Sequence, residues 1–280
     1  MKRLRRINES FGVFDGCEDL AKRIVDTILK ENEKNMWSEL IIDNVWFSPT
    51  KTIKIIKTNQ NVRAAYITNW RKHGLKLPTI AINPIIFDND IGDGFITDGD
   101  SKLITTFMHE LTHLYEDVMR YRKSSSSISN EIERTGYNKT LEYLAKKDSD
   151  EELRRIASML YVLSSFETNA LFSQMYGELL YFYAYDIETP EDVFEVLSDT
   201  KQYRKMKNCI STAKEIIESN GYKSTMYTFY VNILSNCNFS SFGRLRKWLL
   251  IKTRKLQKKM SNRIPKMIHY FLTYENHKYD

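Results

Sequence analysis

The sequence predicts an α+β fold, with a small mixed β-sheet, one long helix and then a mostly helical C-terminal half. Three observations predict it. Between residues 39 and 82 the apolar residues come in four short, β-branched and aromatic pieces separated by turn residues. From about residue 101 onward they recur at three- and four-residue steps. Strands therefore come first and helices follow in a run, unlike the strict alternation of an α/β chain.

The elements follow in order. Met1-Lys2-Arg3-Leu4-Arg5-Arg6 resembles the charged head of a secretory signal, but Ile7-Asn8-Glu9-Ser10 follows it instead of an apolar stretch, which argues against secretion. Leu20, Ile24, Ile28 and Leu29 predict a helix from Glu18 to Lys34. Strands are expected over Glu39–Phe47, Thr52–Lys57, Val62–Trp70 and Pro78–Ile82, bounded by Ser48-Pro49, Asn59-Gln60-Asn61 and His73-Gly74. Asp88 to Asp100 is an acidic, glycine-containing segment. It fails as a calcium loop because Ile91 holds a ligand position and a strand precedes it, so it is expected to be a polar surface loop. Ser101 is expected to cap a helix running to about Arg122. After Ser124–Ser127 and a weakly patterned stretch to Lys147, a single long helix is expected from Asp150 to about Tyr183. Thr189-Pro190-Glu191-Asp192 starts the next helix. The expected division is residues 1–122, carrying sheet and long helix, and 123–280, a helical subdomain with a basic segment at 244–266.

Composition bounds the function. At 280 residues, with 42% hydrophobic and 28% charged residues, the chain has enough apolar surface for a buried core. No run approaches the roughly 18 apolar residues of a membrane span. Three cysteines without paired metal-type spacing suit free thiols in a reducing, cytoplasmic setting. The excess of Lys, Ile, Asn and Tyr reflects coding bias and suits a bacterial or phage source, in which case a virion location is the alternative. The net charge of +6 is uneven. Arg244 to Lys266 holds ten Lys or Arg and no acid, which leaves −4 on the remainder.

The chemistry sits in Phe107-Met108-His109-Glu110-Leu111-Thr112-His113-Leu114. Histidines four apart on a helix share one face and can bind one ion, and Glu110 is one step round from His109, within reach of a water on that ion. Leu103, Ile104, Phe107, Leu111, Leu114 and Val118 form an apolar stripe, so the host helix is expected to be buried and its polar residues to need partners.

This motif on a helix after a small sheet resembles the zincin metallopeptidases, over roughly residues 37 to 178. The resemblance implies a Zn2+ cofactor, a peptide or protein substrate, and a metal-activated water with Glu110 as the general base. It also implies that the strand before the helix, Thr79-Ile80-Ala81-Ile82-Asn83, lines the cleft and can pair with extended substrate. The metzincin branch is excluded because Glu116 and Met119 stand where its Gly and third His would be. The gluzincin branch takes a glutamate from a later helix, often as Glu-x-x-Ala. Glu142-Tyr143-Leu144-Ala145 and Glu167-Thr168-Asn169-Ala170 both match. Leu160, Leu163, Glu167, Ala170, Gln174 and Glu178 follow helical steps, which puts Glu167 on the core-facing stripe, where a carboxylate needs a cation. Glu167 is therefore the preferred third ligand beside His109 and His113, with Glu142, Glu178 and His269 as alternatives and a buried Lys or Arg salt bridge as the competing role. Tyr137, Tyr161 and His269 are unranked candidates for oxyanion stabilisation. Asp117 is expected to be an exposed helix acid, with orientation of a ligand histidine as its second role.

The basic segment 244–266 interleaves Leu245, Trp248, Leu249, Ile251, Leu256 and Met260 with its charges. It is expected to pack as a helix with solvated or salt-bridged cations, and nucleic acid, an anionic membrane surface or an acidic partner is the functional alternative. Zinc metallopeptidase is thus the favoured function. The competing class is a non-catalytic zincin-fold binding protein, virion- or nucleic-acid-associated, acting through the basic segment. A regulatory protease like those that cleave phage repressors is less favoured, because no helix-turn-helix partner is visible.

Overall fold

The computed structural model describes residues 16–32, 37–59, 64–67, 70, 73–83, 99–122, 150–182, 187–218, 227 and 242–275. These form α1 (Cys17–Asn32), β1 (Glu39–Ile42), β2 (Ile53–Lys57), β3 (Ala64–Tyr66), β4 (Thr79–Ile82), α2 (Gly99–Arg122), α3 (Glu151–Leu163), α4 (Ser165–Phe182), α5 (Pro190–Asp199), α6 (Lys201–Glu218) and α7 (Phe242–Tyr270). A π-helical turn, Phe271–Glu275, follows α7. The class is α+β: four short strands in one mixed sheet, and seven α-helices among the described residues.

The chain divides into two compact units. The first comprises Met1–Lys123, Asn169–Thr200 and Lys266–Asp280, and the second Ser124–Thr168 and Lys201–Pro265. One division falls inside α4, so the first turn of that helix continues directly into the part that belongs to the first unit.

In the first unit the strand order is β1-β2-β4-β3. β1 is antiparallel to β2, β2 parallel to β4, and β3 antiparallel to β4. Alternation in β1 and β2 turns Leu40, Ile42, Ile53 and Ile55 inward. β4 lies between two partners and all four of its residues are buried, as expected of an interior strand. This corrects the expectation that Thr79–Ile82 can pair with a substrate, because both of its edges are already hydrogen-bonded. The edge position beside β4 belongs to β3. Helix α1 packs on α2, burying Leu20, Ala21, Ile24, Val25 and Ile28. Each such large aliphatic side chain contributes about 1.5–3 kcal/mol of burial.

In the second unit α3 packs on α6. Ile156, Met159, Leu160 and Leu163 are buried on one helix, and Met206, Ile210 and Ala213 on the other. At the surface Arg155 donates to Glu215 at 2.8 Å and to Thr212 Oγ1 at 3.1 Å.

Two helix starts differ from expectation. The long helix expected over 150–183 is two helices. Ser164 is extended (φ −62°, ψ 142°), its N–H donates to Tyr161 O, and its hydroxyl accepts from Glu167 N at 3.2 Å, so it ends α3 and caps α4. Helix α2 begins at Gly99, which makes Ser101 a buried helical residue and not a cap. The Thr189 start is a capping box with Pro190 in the first turn. The acidic loop up to Asp98, the stretch 123–149, Lys2–Arg6 and Cys237 lie outside the described residues. No helix among the described residues is long and apolar enough to cross a membrane.

Candidate metal centre

Helix α2 is held from several sides. Leu103, Ile104, Phe107, Leu111, Leu114 and Val118, the stripe read from the sequence, are all buried. That burial fixes the rotation of the helix and sets His109 and His113 together on another face. His109 is buried and His113 half-buried. Their Nε2 atoms are 3.1 Å apart and the rings meet edge to face, 81° between planes. Two nitrogens each about 2.0–2.1 Å from one tetrahedral ion lie roughly 3.3 Å apart, so the observed separation is close to that of two ligands on one zinc.

Glu167 completes the group. One donor atom from each of His109, His113 and Glu167 lies within 4.8 Å of the others. The way α4 starts explains how. Ser164-Ser165-Phe166-Glu167 has the S-x-x-E form of a capping box, in which the glutamate would normally return to the cap N–H. Here that N–H is engaged by Tyr161 O, and the Glu167 carboxylate is directed elsewhere. It is 1% exposed, and Lys205 Nζ stands 3.7 Å from Oε1, with its own side chain 35% exposed. That distance gives charge balance without a hydrogen bond. The carboxylate of Glu167 thus has the lysine partner weighed for it and also lies beside the two histidines. Two imidazoles plus one carboxylate, gathered on two helices, are a donor set that suits zinc.

Glu110 is held by the sheet. The backbone N–H of Tyr66, on edge strand β3, donates to Glu110 Oε2 at 2.6 Å. Tyr66 and Ile80 are opposed in the register, whereas Ile67 N–H donates to Thr79 O, so the Tyr66 N–H points away from β4 and toward α2. The Tyr66 hydroxyl donates to Asp117 Oδ2 at 2.8 Å. Asp117 therefore anchors a tyrosine, which neither role considered for it anticipated. Tyr66 is the site-shaping residue that sequence reasoning missed. No local pattern marks it, because its role comes from strand order.

The separation of α2 and α4 is set by small residues and local bonds. A Cβ on Gly177 would stand 2.8 Å from Met108 Sδ and 3.1 Å from Thr105 Cγ2, so the helices touch where glycine leaves room. Asn169 Nδ2 donates to Glu116 Oε1, joining the two helices near the ligands. Ser173 Oγ donates to Met108 O at 3.3 Å, and the Cys17 thiol lies 3.7 Å from the same carbonyl. Burial pushes the Cys17 thiol up to about 12, which keeps it protonated behind α2.

The remaining candidates fall elsewhere. Glu178 is buried on α4, but eleven residues beyond Glu167, about 16 Å along the helix, and it is outside the three-residue group. The Tyr161 ring lies 4.7 Å beneath Lys205 Nζ, in a cation–π contact. His269 lies in the last turn of α7. Glu142 and Tyr137 lie outside the described residues.

Comparison of the chain with protein-family models, curated proteins and solved structures finds no match.

Proposed function

We propose that this chain is a zinc-dependent metallopeptidase with a zincin-like body and a gluzincin-type ligand set. His109, His113 and Glu167 would hold the ion, and Glu110 would be the general base. The observation that carries this reading is the convergence of those three donor groups to within 4.8 Å, although Glu167 is fifty-four residues beyond His113 in sequence.

Zinc, when bound, supplies a Lewis acid that lowers the pKa of a water toward ~7. Glu110 would accept the proton of an attacking water as its oxygen bonds to the peptide carbonyl carbon, and would return it to the leaving amine as the C–N bond breaks. The Tyr66 N–H orients the Glu110 carboxylate for this transfer. Neither Cys17 nor Cys209 is in a disulfide, which supports a reducing, cytoplasmic setting.

The test combines metal content with hydrolysis. Purified chain is expected to hold about one zinc per molecule by elemental analysis and to cleave a broad peptide library. Glu110→Gln is expected to keep the zinc and lose cleavage by at least ~100-fold. A protein that takes up no zinc, or a Glu110→Gln variant that cleaves as well as wild type, would falsify the reading.

A further inference from the structure

Helix α7 carries ten Lys or Arg between Arg244 and Lys266 and no acid, and the metallopeptidase reading uses none of them. Its apolar side, with Leu245, Leu249, Leu256 and Met260, is buried in the body. The opposite side is exposed at Arg246, Lys247, Arg254, Lys255 and Lys258. Lys247, Arg254 and Lys258 follow steps of seven and four, so they form one stripe along the helix. From Arg246 to Lys258 the cations extend over about 18 Å of rigid helix, with neighbours on the stripe about 6–10 Å apart.

We infer that this face binds the phosphate backbone of nucleic acid without reading its sequence. A repeated anion is the partner that a repeated row of exposed cations suits. A protein partner would need an anchoring apolar cluster on the face, and the exposed large hydrophobic residue of α7 there is Ile251 alone among the described residues. A membrane surface would take the apolar side of an amphipathic helix, which here is buried in the protein. Sequence readout in a groove would need Asn, Gln or bidentate Arg converging on base edges, and this stripe is built of charge on one convex line.

The test is fluorescence anisotropy of a labelled 20-base-pair duplex of arbitrary sequence with the full chain. Binding is expected at about 50 mM salt and to weaken steeply by about 200 mM, with log K falling against log salt at a slope near −4. Replacing Arg254, Lys255 and Lys258 together with glutamine is expected to weaken binding at least ~10-fold and to reduce the slope by roughly 3. If that variant melts early, Lys258→Gln alone is read instead, with a slope change of roughly 1. His109→Ala is expected to bind as wild type, which separates this inference from the metal site. It is overturned by wild-type chain that does not bind the duplex at low salt, by a triple variant that binds unchanged, or by polyglutamate competing as well as unlabelled DNA.

Discussion

Tyr66 clamps helix α2 at two points: its backbone N–H donates to Glu110 Oε2 at 2.6 Å and its hydroxyl to Asp117 Oδ2 at 2.8 Å. Residues 110 and 117 are two helical turns apart, so one strand residue sets both the position of β3 against α2 and the orientation of the proposed base. Tyr66→Phe removes only the second bond. It is expected to lower stability by about 1–2 kcal/mol, measured by urea unfolding, with zinc binding intact. Tyr66→Pro removes the N–H together with the ring and its hydroxyl bond, at a position whose N–H the β4 ladder does not use. Its kcat on a peptide substrate is expected to fall while zinc content stays at the wild-type level. Unchanged kcat in a folded, zinc-loaded Pro variant would remove Tyr66 from the site.

How much of this could be read from the sequence follows from how local each feature is. His109 and His113 were legible because four residues on a helix fix a shared face, whatever the rest of the chain does. Glu167 is legible as a carboxylate on a buried stripe, although that stripe crosses from α3 into α4. The break at Ser164 had its own signal, Ser-x-x-Glu, which the apolar periodicity masked. Tyr66 and the interior place of β4 were not legible, because strand order is a long-range property that no segment encodes by itself. Gly177 had a signal of a kind, a glycine inside an otherwise apolar helix, but only the neighbouring helix shows what it is for.

Lys205 is one cation beside Glu167 and the proposed zinc would be a second, which links metal binding to stability. In the metal-free chain Lys205 balances a carboxylate that is 1% exposed. A bound zinc would share that carboxylate, and the nearby lysine charge would oppose it. Lys205→Met is therefore expected to destabilise the metal-free chain by about 1–2 kcal/mol, a figure reduced by the partial exposure of the lysine. The same variant is expected to bind zinc severalfold more tightly in a chelator competition. Its melting temperature should consequently rise more on zinc addition than that of wild type. Zinc binding that weakens in Lys205→Met would mean the lysine positions the ligand and does not compete for it.

The closeness of α2 and α4 at Gly177 sets a steric limit on the site. Valine at this position would put methyl groups into the space of Met108 and Thr105, where even a Cβ stands 2.8 Å from Met108 Sδ. Overpacking of this kind costs about 1–3 kcal/mol. The helices must then separate, and Glu167 rides on one of them and the histidines on the other. Gly177→Val is expected to lose stability and at least ~10-fold in zinc affinity together, a ligand-geometry effect of the size seen when supporting groups of metal ligands are removed. If calorimetry shows lower stability with wild-type zinc affinity, the helix spacing does not control the ligand set.

The two described cysteines give the alkaline limit. Burial is the main cause that pushes both Cys17 and Cys209 from 9.0 up to about 12, because the thiolate has lost its water. Folded pKa values above the unfolded one mean that the folded chain holds these protons more tightly. The resulting stability is complete below pH 9 and is lost as pH rises from 9 toward 12. Urea midpoints of the metal-free chain are therefore expected to fall between pH 9 and 11. A Cys17→Ser/Cys209→Ser double variant is less stable at neutral pH, because the hydroxyls are buried, but should show a shallower alkaline fall. Native thiol labelling at pH 8 should be slow and should become fast on unfolding. Rapid native labelling of either residue, or an alkaline fall as steep in the double variant as in wild type, would show that these thiols do not control the alkaline limit.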